Sequence, residues 1–366
     1  MALNKLSLKV FAIFFVATIC APFSLGQGVI SPPKLILYDA KHKEPKSGVE
    51  LRGNQLVIRS GVGTPSTINV LVFSGDGKFL AAGKDFGRVV VWDVTQRSFV
   101  CALDTGQSIV HSVAISSDGQ LLATSGSNMD PNIKVWNLPD CKLLNDFRVG
   151  NSAVQKLLFS LGASSLIVVE NNAVAYVLDI ATGKHKQEIS GEWAPVFSTD
   201  GKTLMTVSKT AMILRNTNDW QQQKTLPKLT KYPIPLSLDP QLDVYIFGDG
   251  TEENSFFAAR LSTGELLPNP RNTKLPRVNF GAGAFASVDP ASGIVFGHSD
   301  GRLWAWDFQT GKTCASNILY SESGALSPDG SLVVGAIDNS IMAPDKVKPG
   351  VGLWETAAIR KVCGLK

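Results

Sequence analysis

Short apolar segments alternate with tight polar turns along most of this 366-residue chain. The clearest unit is an apolar strand, an Asp-Gly turn and a second apolar strand, as in Val70–Lys78 followed by Phe79–Ala82. Asp-Gly supplies the positive backbone angles that a two-residue hairpin requires. The unit returns at Ser112–Gln120, Ala194–Lys202 and Ser323–Ser331. The pattern therefore predicts repeated β-hairpins and an all-β protein.

Weaker copies of the same unit fill the intervals between the clear ones. One large apolar residue marks each of the seven copies: Phe73, Ile115, Phe159, Phe197, Leu238, Val288 and Leu326. Consecutive markers are 38 to 50 residues apart. A period of about 40 residues, with several short strands in each unit, is typical of the blades of a β-propeller.

A third strand in several copies ends on an aromatic residue, often followed by an acid and a Thr-Gly turn. These markers are Trp92, Asp93, Trp136, Trp306, Asp307 and Trp354. With this register the chain resembles the WD40 repeat family, in its divergent bacterial style, over residues 67–366. The resemblance implies a seven-bladed, WD40-like or YVTN-like β-propeller with four antiparallel strands in each blade. An eight-bladed ring is the alternative.

The resemblance is incomplete at one position. The Gly-His pair that precedes the first strand of a WD40 repeat is missing, and Gly106 stands where the histidine of blade two is expected. That histidine anchors a buried hydrogen-bond network in the family. We therefore expect the blades of this protein to be held together mainly by apolar packing.

The N-terminus has the pattern of a signal peptide. Lys5 and Lys9 precede the apolar run Val10–Ile19, and Pro22 and small residues lead to a cleavage site near Gly26. We expect residues 1–26 to be removed and the mature chain to be secreted, in the periplasm or outside the cell. An uncleaved N-terminal anchor is the alternative, although the apolar run is shorter than the roughly 20 residues that span a bilayer.

The segment 27–66 precedes the repeats and contains two further strand-like stretches, Leu35–Asp39 and Gln55–Arg59. We expect one of them to close the ring as an outer strand of the last blade, because closure removes free sheet edges. The C-terminal stretch Ile359–Cys363 is an equally good candidate for that strand.

Charge and motifs favour binding over catalysis. The formal net charge of +4 falls to +2 without residues 1–26, which contain two lysines and no acids, so there is no electrostatic case for nucleic acid. No serine-nucleophile elbow, His-Glu-x-x-His motif or phosphate-binding loop occurs. With only four histidines in the chain we predict no metal site, no cofactor and no enzymatic activity.

The first residue of each innermost strand should surround one mouth of the central channel. Counting back four residues from the strand markers gives Asn69, His111, Gln155, Trp193, Ile234, Ala284 and Glu322. The irregular connections Gly126–Asn132, Gly248–Asn254, Leu266–Gly283 and Asp338–Gly350 should lie on the same face. Loops on a rigid scaffold often carry function. We therefore predict that a protein or peptide partner contacts Asn69, His111, Gln155, Trp193 and Glu322.

Three alternatives to this interpretation remain, and one is a scaffold of the cell envelope with no single partner. The channel could serve an enzyme or a small-ligand binder of the lactonase-like or quinone-dehydrogenase-like kind. Trp193 could be buried between blades instead of contacting a partner, because tryptophan is highly buried on average.

Four cysteines remain after cleavage, and all four are expected in outer fourth strands. Cys101 and Cys141 fall in neighbouring blades one and two, and Cys314 and Cys363 in blades six and seven. Two inter-blade disulfides are one hypothesis. Because outer strands of adjacent blades diverge and a bridge needs Cα atoms within about 7 Å, we expect four free thiols instead.

Overall fold

The computed structural model describes residues 29–30, 35–37, 49–52, 55–58, 68–85, 87–126, 132–149, 152–170, 174–249, 256–267, 285–299, 302–316, 323–337 and 350–365. Four short strands lie in the N-terminal segment: β1 (Val29–Ile30), β2 (Leu35–Leu37), β3 (Val49–Arg52) and β4 (Gln55–Ile58). The repeats follow from β5 onward, and one helix ends the described chain, α1 (Thr356–Cys363).

The repeats form seven sheets of consecutive antiparallel strands. Blades one to three are β5 (Ile68–Phe73), β6 (Phe79–Lys84), β7 (Arg88–Asp93), β8 (Ser98–Asp104); β9 (Ser112–Ile115), β10 (Leu121–Ser125), β11 (Ile133–Asn137), β12 (Lys142–Phe147); and β13 (Val154–Phe159), β14 (Ser165–Glu170), β15 (Val174–Asp179), β16 (His185–Ser190). Blades four and five are β17 (Trp193–Phe197), β18 (Thr203–Val207), β19 (Ala211–Asn216), β20 (Gln222–Pro227); and β21 (Pro233–Asp239), β22 (Val244–Asp249), β23 (Phe256–Arg260). Blades six and seven are β24 (Phe285–Val288), β25 (Ile294–Ser299), β26 (Arg302–Asp307), β27 (Thr313–Ser316); and β28 (Gly324–Leu326), β29 (Leu332–Ile337), β30 (Gly350–Glu355).

The seven-bladed β-propeller is thereby confirmed, and the eight-bladed alternative is wrong. All seven apolar markers of the repeat lie in the innermost strands. Blade five departs from the pattern within the described residues. Its fourth strand is reduced to a single antiparallel bridge between Ala259 and Leu266, just before the long connection to blade six.

The turn between the first and second strands is fixed by side chains as well as by glycine. In blade one the Ser74 hydroxyl donates to an Asp76 carboxylate oxygen (2.5 Å), which also accepts the Lys78 backbone N–H (3.0 Å). Gly77 lies between them with a φ of 72°, a left-handed conformation that glycine adopts without strain. The same Ser-x-Asp-Gly arrangement recurs at Ser116, Ser198 and Ser327.

Apolar packing between blades holds the ring together, as the missing histidine led us to expect. Seven buried apolar clusters lie in the described residues, one at each junction between neighbouring blades. The cluster between blades seven and one, which includes Val334 and Trp92, closes the ring. Hydrogen bonds supplement this packing. The side-chain amide of the buried Gln107 donates to the Asn132 carbonyl (2.7 Å) near the position of the absent histidine.

The N-terminal strands extend the last two blades. β2 pairs antiparallel with β30 as the fourth strand of blade seven, β4 pairs parallel with β2, and β3 follows β4. β1 pairs parallel with β27 at the outer edge of blade six. Leu35–Leu37 is therefore the strand that completes blade seven, and Gln55–Ile58 lies one strand further out. The stretch Ile359–Cys363 belongs to helix α1 instead.

The expectation of free cysteines is wrong. Cys101 and Cys141 form a disulfide across blades one and two, with Cα atoms 6.5 Å apart, and Cys314 and Cys363 form a second with Cα atoms 5.7 Å apart. Two of the four cysteines do not lie in outer strands, which is why the distance argument failed. Cys141 is in the turn before β12, and Cys363 is in α1, which packs over blade six.

Candidate functional site

The propeller has two unlike faces, defined by which connections lie on them. The turn face carries the Asp-Gly turns between first and second strands and the turns between third and fourth strands, such as Gly119 and Gly183. The loop face carries the connections between second and third strands and between successive blades. Residues 127–131, 250–255, 268–284 and 338–349, which make up most of the four irregular connections, lie outside the described residues. Each of them joins strand ends at the loop face.

A central channel of about 1140 Å³ is lined by the innermost strands of blades one to five. At its loop-face end lie His111, Gln155, Lys156, Pro195 and Ile234. Toward the turn face the wall is formed by the Asp-Gly turns and by Leu161, which is 53% exposed. Because the described walls are strands held by inter-blade packing, the channel is a rigid surface on which exposed side chains have fixed positions.

The structure divides the predicted ring of mouth residues. His111, Gln155 and Ile234 line the channel, and the first two are exposed. Asn69 and Trp193 are not among the residues that line it. The Asn69 amide donates to the Asp85 carboxylate (3.0 Å) within blade one. Ala284 and Glu322 lie outside the described residues.

β-Bulges lie at several of the predicted mouth positions. The pairing of the first two strands shifts register near the loop face in blades one, three and four. A bulge inserts an unpaired residue and redirects its side chain. In blade three the unpaired residue is Gln155, which faces the channel, whereas in blade one it is Asn69, which turns toward Asp85. The four-residue count from the strand marker reaches the bulged residue in both blades, and its side chain faces the channel in only one of them.

Trp193 was predicted either to contact a partner at the channel mouth or to be buried between blades, and its position in the structure is intermediate. Its side chain is half-buried against the apolar cluster between blades four and five. The Lys228 ammonium lies 5.6 Å from the centre of its ring, within the distance of a cation–π contact. The following residue, Ala194, lines the channel with a φ of 49°, in the left-handed region.

Lys156 is a channel residue that the sequence argument missed. Its ammonium donates to the Pro195 carbonyl (2.8 Å), which connects the inner strands of blades three and four. Burial lowers the pKa of Lys156 to about 8, because the surrounding protein solvates its charge poorly. The available signal was a lysine next to Gln155 in an otherwise apolar inner strand. Because Lys156 follows the bulge at Gln155, the sequence pattern did not show in which direction its side chain points.

Acid and base groups are separated along the channel. Asp200 is a carboxylate residue in the described wall, and it lies in an Asp-Gly turn at the turn-face end, where it accepts the Ser198 hydroxyl (2.6 Å). His111 lies at the loop-face end. His298 is fully buried in β25, and burial lowers its pKa to about 4. Among the described residues no three His, Cys, Asp or Glu side chains form a group that could hold a metal.

A buried ion pair supports the loop-face end of blade four. Glu192 is 6% exposed, and its carboxylate accepts hydrogen bonds from the Thr206 hydroxyl and from the Arg215 guanidinium. Arg215 also donates to the Trp220 carbonyl (3.2 Å). Glu192 directly precedes Trp193, so this network fixes the backbone from which the β17 side chains project.

Among the described residues, no helix is long and apolar enough to cross a membrane; helix α1 has only eight residues.

Comparison with known proteins is consistent with this architecture. The family model described as WD domain, G-beta repeat matches residues 98–137. That stretch contains the outer strand of blade one and the first three strands of blade two. Transducin beta-like protein 3 of Mus musculus is 30% identical over 110 residues, which cover 30% of this chain and 14% of the relative.

Two further relatives show the same partial coverage. Apoptotic protease-activating factor 1 of Rattus norvegicus is 26% identical over 43% of this chain and 13% of its own length. Small ribosomal subunit protein RACK1 of Medicago sativa is 28% identical over 22% of this chain and 24% of its own. The chain thus covers less than a quarter of the length of each of these three relatives. Together with the seven blades, the matched repeat and these relatives support a WD40-type propeller, an architecture whose members generally act as protein-interaction scaffolds.

Proposed function

We propose that this protein is an exported, non-catalytic propeller that binds a protein or peptide partner at its loop face. One observation carries the proposal. His111 and Gln155 are exposed at the loop-face mouth of the channel, on inner strands whose other residues are largely buried. Exposed polar side chains on a rigid scaffold are typical of a protein interface.

The separation of groups along the channel favours contact over catalysis. General acid–base chemistry needs its groups within hydrogen-bond reach of one substrate. His111 and Asp200 lie toward opposite ends of the channel wall, so they are not arranged as an acid–base pair.

The volume of the channel favours a small-molecule ligand as a second candidate. Ligand pockets commonly enclose about 300–1000 Å³, and this channel of about 1140 Å³ slightly exceeds that range. A small ligand bound there would contact Lys156, whereas a protein partner would reach the exposed side chains at the mouth.

Export is supported by the two disulfides, because such bonds persist in oxidising compartments and are rare in the cytosol. The signal-peptide pattern of residues 1–26 points to the same route. Isolation of the native protein would test this part of the proposal. We expect a chain that begins just after Gly26 and that has no alkylatable thiols. An intact N-terminus with free cysteines would contradict export.

Face-specific variants test the binding proposal. We would capture partners from a native extract with the mature protein, with His111→Ala/Gln155→Ala, and with the control Gln96→Ala/Gln120→Ala. The control residues are exposed on the turn face, so both variants remove two polar side chains. We expect the wild type and the control to retain a specific protein that the loop-face variant loses. Equal retention by all three would refute a loop-face interface.

A further inference from the structure

A group of lysines and aromatic residues lies on the loop face of blade four. Lys209 is in the β18–β19 turn, and Lys228, Lys231 and Tyr232 are in the connection from β20 to β21. Together with Trp193 we call these residues the lysine–aromatic patch. The Lys228 ammonium donates to the Lys209 carbonyl (3.3 Å), so the two connections form one surface.

Each aromatic ring of the patch lies beside a cation. Lys228 lies 5.6 Å from the ring centre of Trp193, and Lys231 lies 5.4 Å from that of Tyr232. Tyr232 is 49% exposed, which is unusual for so large an apolar side chain. Tryptophan and tyrosine provide much of the binding energy at protein interfaces. The patch therefore combines positive charge with the side chains that anchor a partner.

The lysines of the patch form no ion pair with any described acid. Other lysines do: Lys134 pairs with Asp146 (3.4 Å) and Lys186 with Asp179 (3.1 Å), both at the outer rim of the propeller. The carboxylate that precedes Trp193 in the chain, Glu192, is already bound by Arg215 and Thr206. Three positive charges are thus concentrated on the loop face without local compensation from the described residues.

The patch continues into the channel mouth. Trp193 and Pro195 are two residues apart on β17, and the Lys156 ammonium donates to the Pro195 carbonyl. Lys156 has no acidic partner among the described residues either, so the positive charge extends from the outer loops to the channel. An extended chain could lie along this path, from Tyr232 across Trp193 toward Gln155.

We propose that the lysine–aromatic patch and the adjoining channel mouth bind an acidic, extended peptide segment of a partner protein. This inference rests on the proposed function and specifies the chemistry of the partner. An acidic peptide fits better than a nucleic acid for two reasons. The patch contains no free arginine, since Arg215 is buried in its pair with Glu192, and the chain as a whole is close to neutral.

The test compares two triple variants of equal charge. Lys209→Gln/Lys228→Gln/Lys231→Gln removes the patch lysines, and Lys142→Gln/Lys184→Gln/Lys202→Gln removes three exposed lysines of the turn face. Each variant lowers the net charge by three. The probes are a fluorescent peptide of alternating glutamate and serine with one central phenylalanine, its lysine–serine counterpart, and a single-stranded oligothymidine. Binding is measured by fluorescence anisotropy at low and at physiological salt.

We expect the glutamate peptide alone to bind, more weakly at higher salt. The patch variant should bind it about tenfold more weakly than the wild type, because three exposed charge pairs with the peptide are lost. The turn-face variant should match the wild type. Equal loss in both variants, tighter binding of the oligothymidine, or no binding of the glutamate peptide would overturn the proposal.

The chain's own acidic connection provides a further control. Glu252 and Glu253 lie in residues 250–255, between β22 and β23, outside the described residues. Patch-dependent binding that appears only in Glu252→Gln/Glu253→Gln would assign the patch to this connection and overturn the proposal for a partner protein. If the His111/Gln155 variant loses a captured protein that the patch variant retains, the patch proposal fails and the proposed function stands.

Discussion

Removal of the Glu192 carboxylate should destabilise the propeller strongly. Glu192→Ala leaves the Arg215 guanidinium, whose side chain is only 15% exposed, without its counter-charge. Loss of one partner from a buried ion pair costs about 3–5 kcal/mol, because the remaining charge stays desolvated. Arg215 keeps its hydrogen bond to the Trp220 carbonyl and some contact with solvent, so we expect the lower end of that range.

The assay is thermal unfolding followed by circular dichroism, under conditions in which unfolding is reversible. A loss of about 3 kcal/mol lowers the Tm of a chain of this size by roughly 4 °C. The matched control is Glu188→Ala, since Glu188 is exposed on β16 and should contribute less than about 0.5 kcal/mol. In Glu192→Ala/Arg215→Leu the buried cation is absent, so part of the lost stability should return. If Glu192→Ala lowers the Tm no more than Glu188→Ala, the assignment of a buried ion pair is refuted.

Three further predictions concern stability. Gly87→Ala should lower the free energy of unfolding by at least about 2 kcal/mol, because Gly87 has a φ of 66° and an added Cβ would lie 1.9 Å from the Gln107 carbonyl oxygen. The control Gly162→Ala, at a φ of 78° with open space around it, should lower it by only about 1 kcal/mol. Equal melting temperatures of the two variants would contradict the close contact at Gly87. Cys101→Ser/Cys141→Ser should lower the free energy of unfolding by up to about 4 kcal/mol in denaturant titrations, because the disulfide closes a loop of 40 residues in the unfolded chain, and an unchanged midpoint would argue against the bond. Because the pKa of Lys156 is lowered in the folded protein, the unfolded chain binds an extra proton between about pH 8 and 10. The free energy of unfolding of the wild type should therefore rise with pH across that window, and that of Lys156→Met should rise less. Identical pH profiles of the two proteins would contradict burial of the ammonium.

The blades were predictable because their signals are local. Ser74, Asp76 and Gly77 specify a turn through hydrogen bonds within five residues, and the same residues recur in other blades. An apolar strand before and after each turn then determines a hairpin. Counting these units gave seven blades and placed every apolar marker in an innermost strand.

Features that depend on contacts between distant segments were not predictable in the same way. The closing strand Leu35–Leu37 meets β30 more than 300 residues later along the chain, and no short pattern specifies that pairing. Cys363 reaches Cys314 because the chain turns into a helix after β30, where a strand was expected. Asn69 and Gln155 are both bulge residues, and the direction in which a bulged side chain points depends on the packing around it and not on a count along the strand.

The site itself was predictable in outline only. His111 and Gln155 lie at the predicted mouth. Asn69 instead forms a hydrogen bond with Asp85, and Trp193 packs against the apolar cluster beside Lys228. The positive charge of the loop face was not evident from the sequence. Lys156, Lys209, Lys228 and Lys231 are spread over 76 positions and come together only when blades three and four are adjacent.

The most direct test of a loop-face interface is site-specific photocrosslinking in the native compartment. A photoreactive p-benzoylphenylalanine would replace His111 on the loop face in one variant and Gln120 on the turn face in another, since both residues are exposed. Illumination, followed by mass spectrometry of the adducts, reports which face touches a partner. The account predicts one specific adduct from position 111 and none from position 120. The same adduct from both positions, or an adduct from position 120 alone, would contradict it.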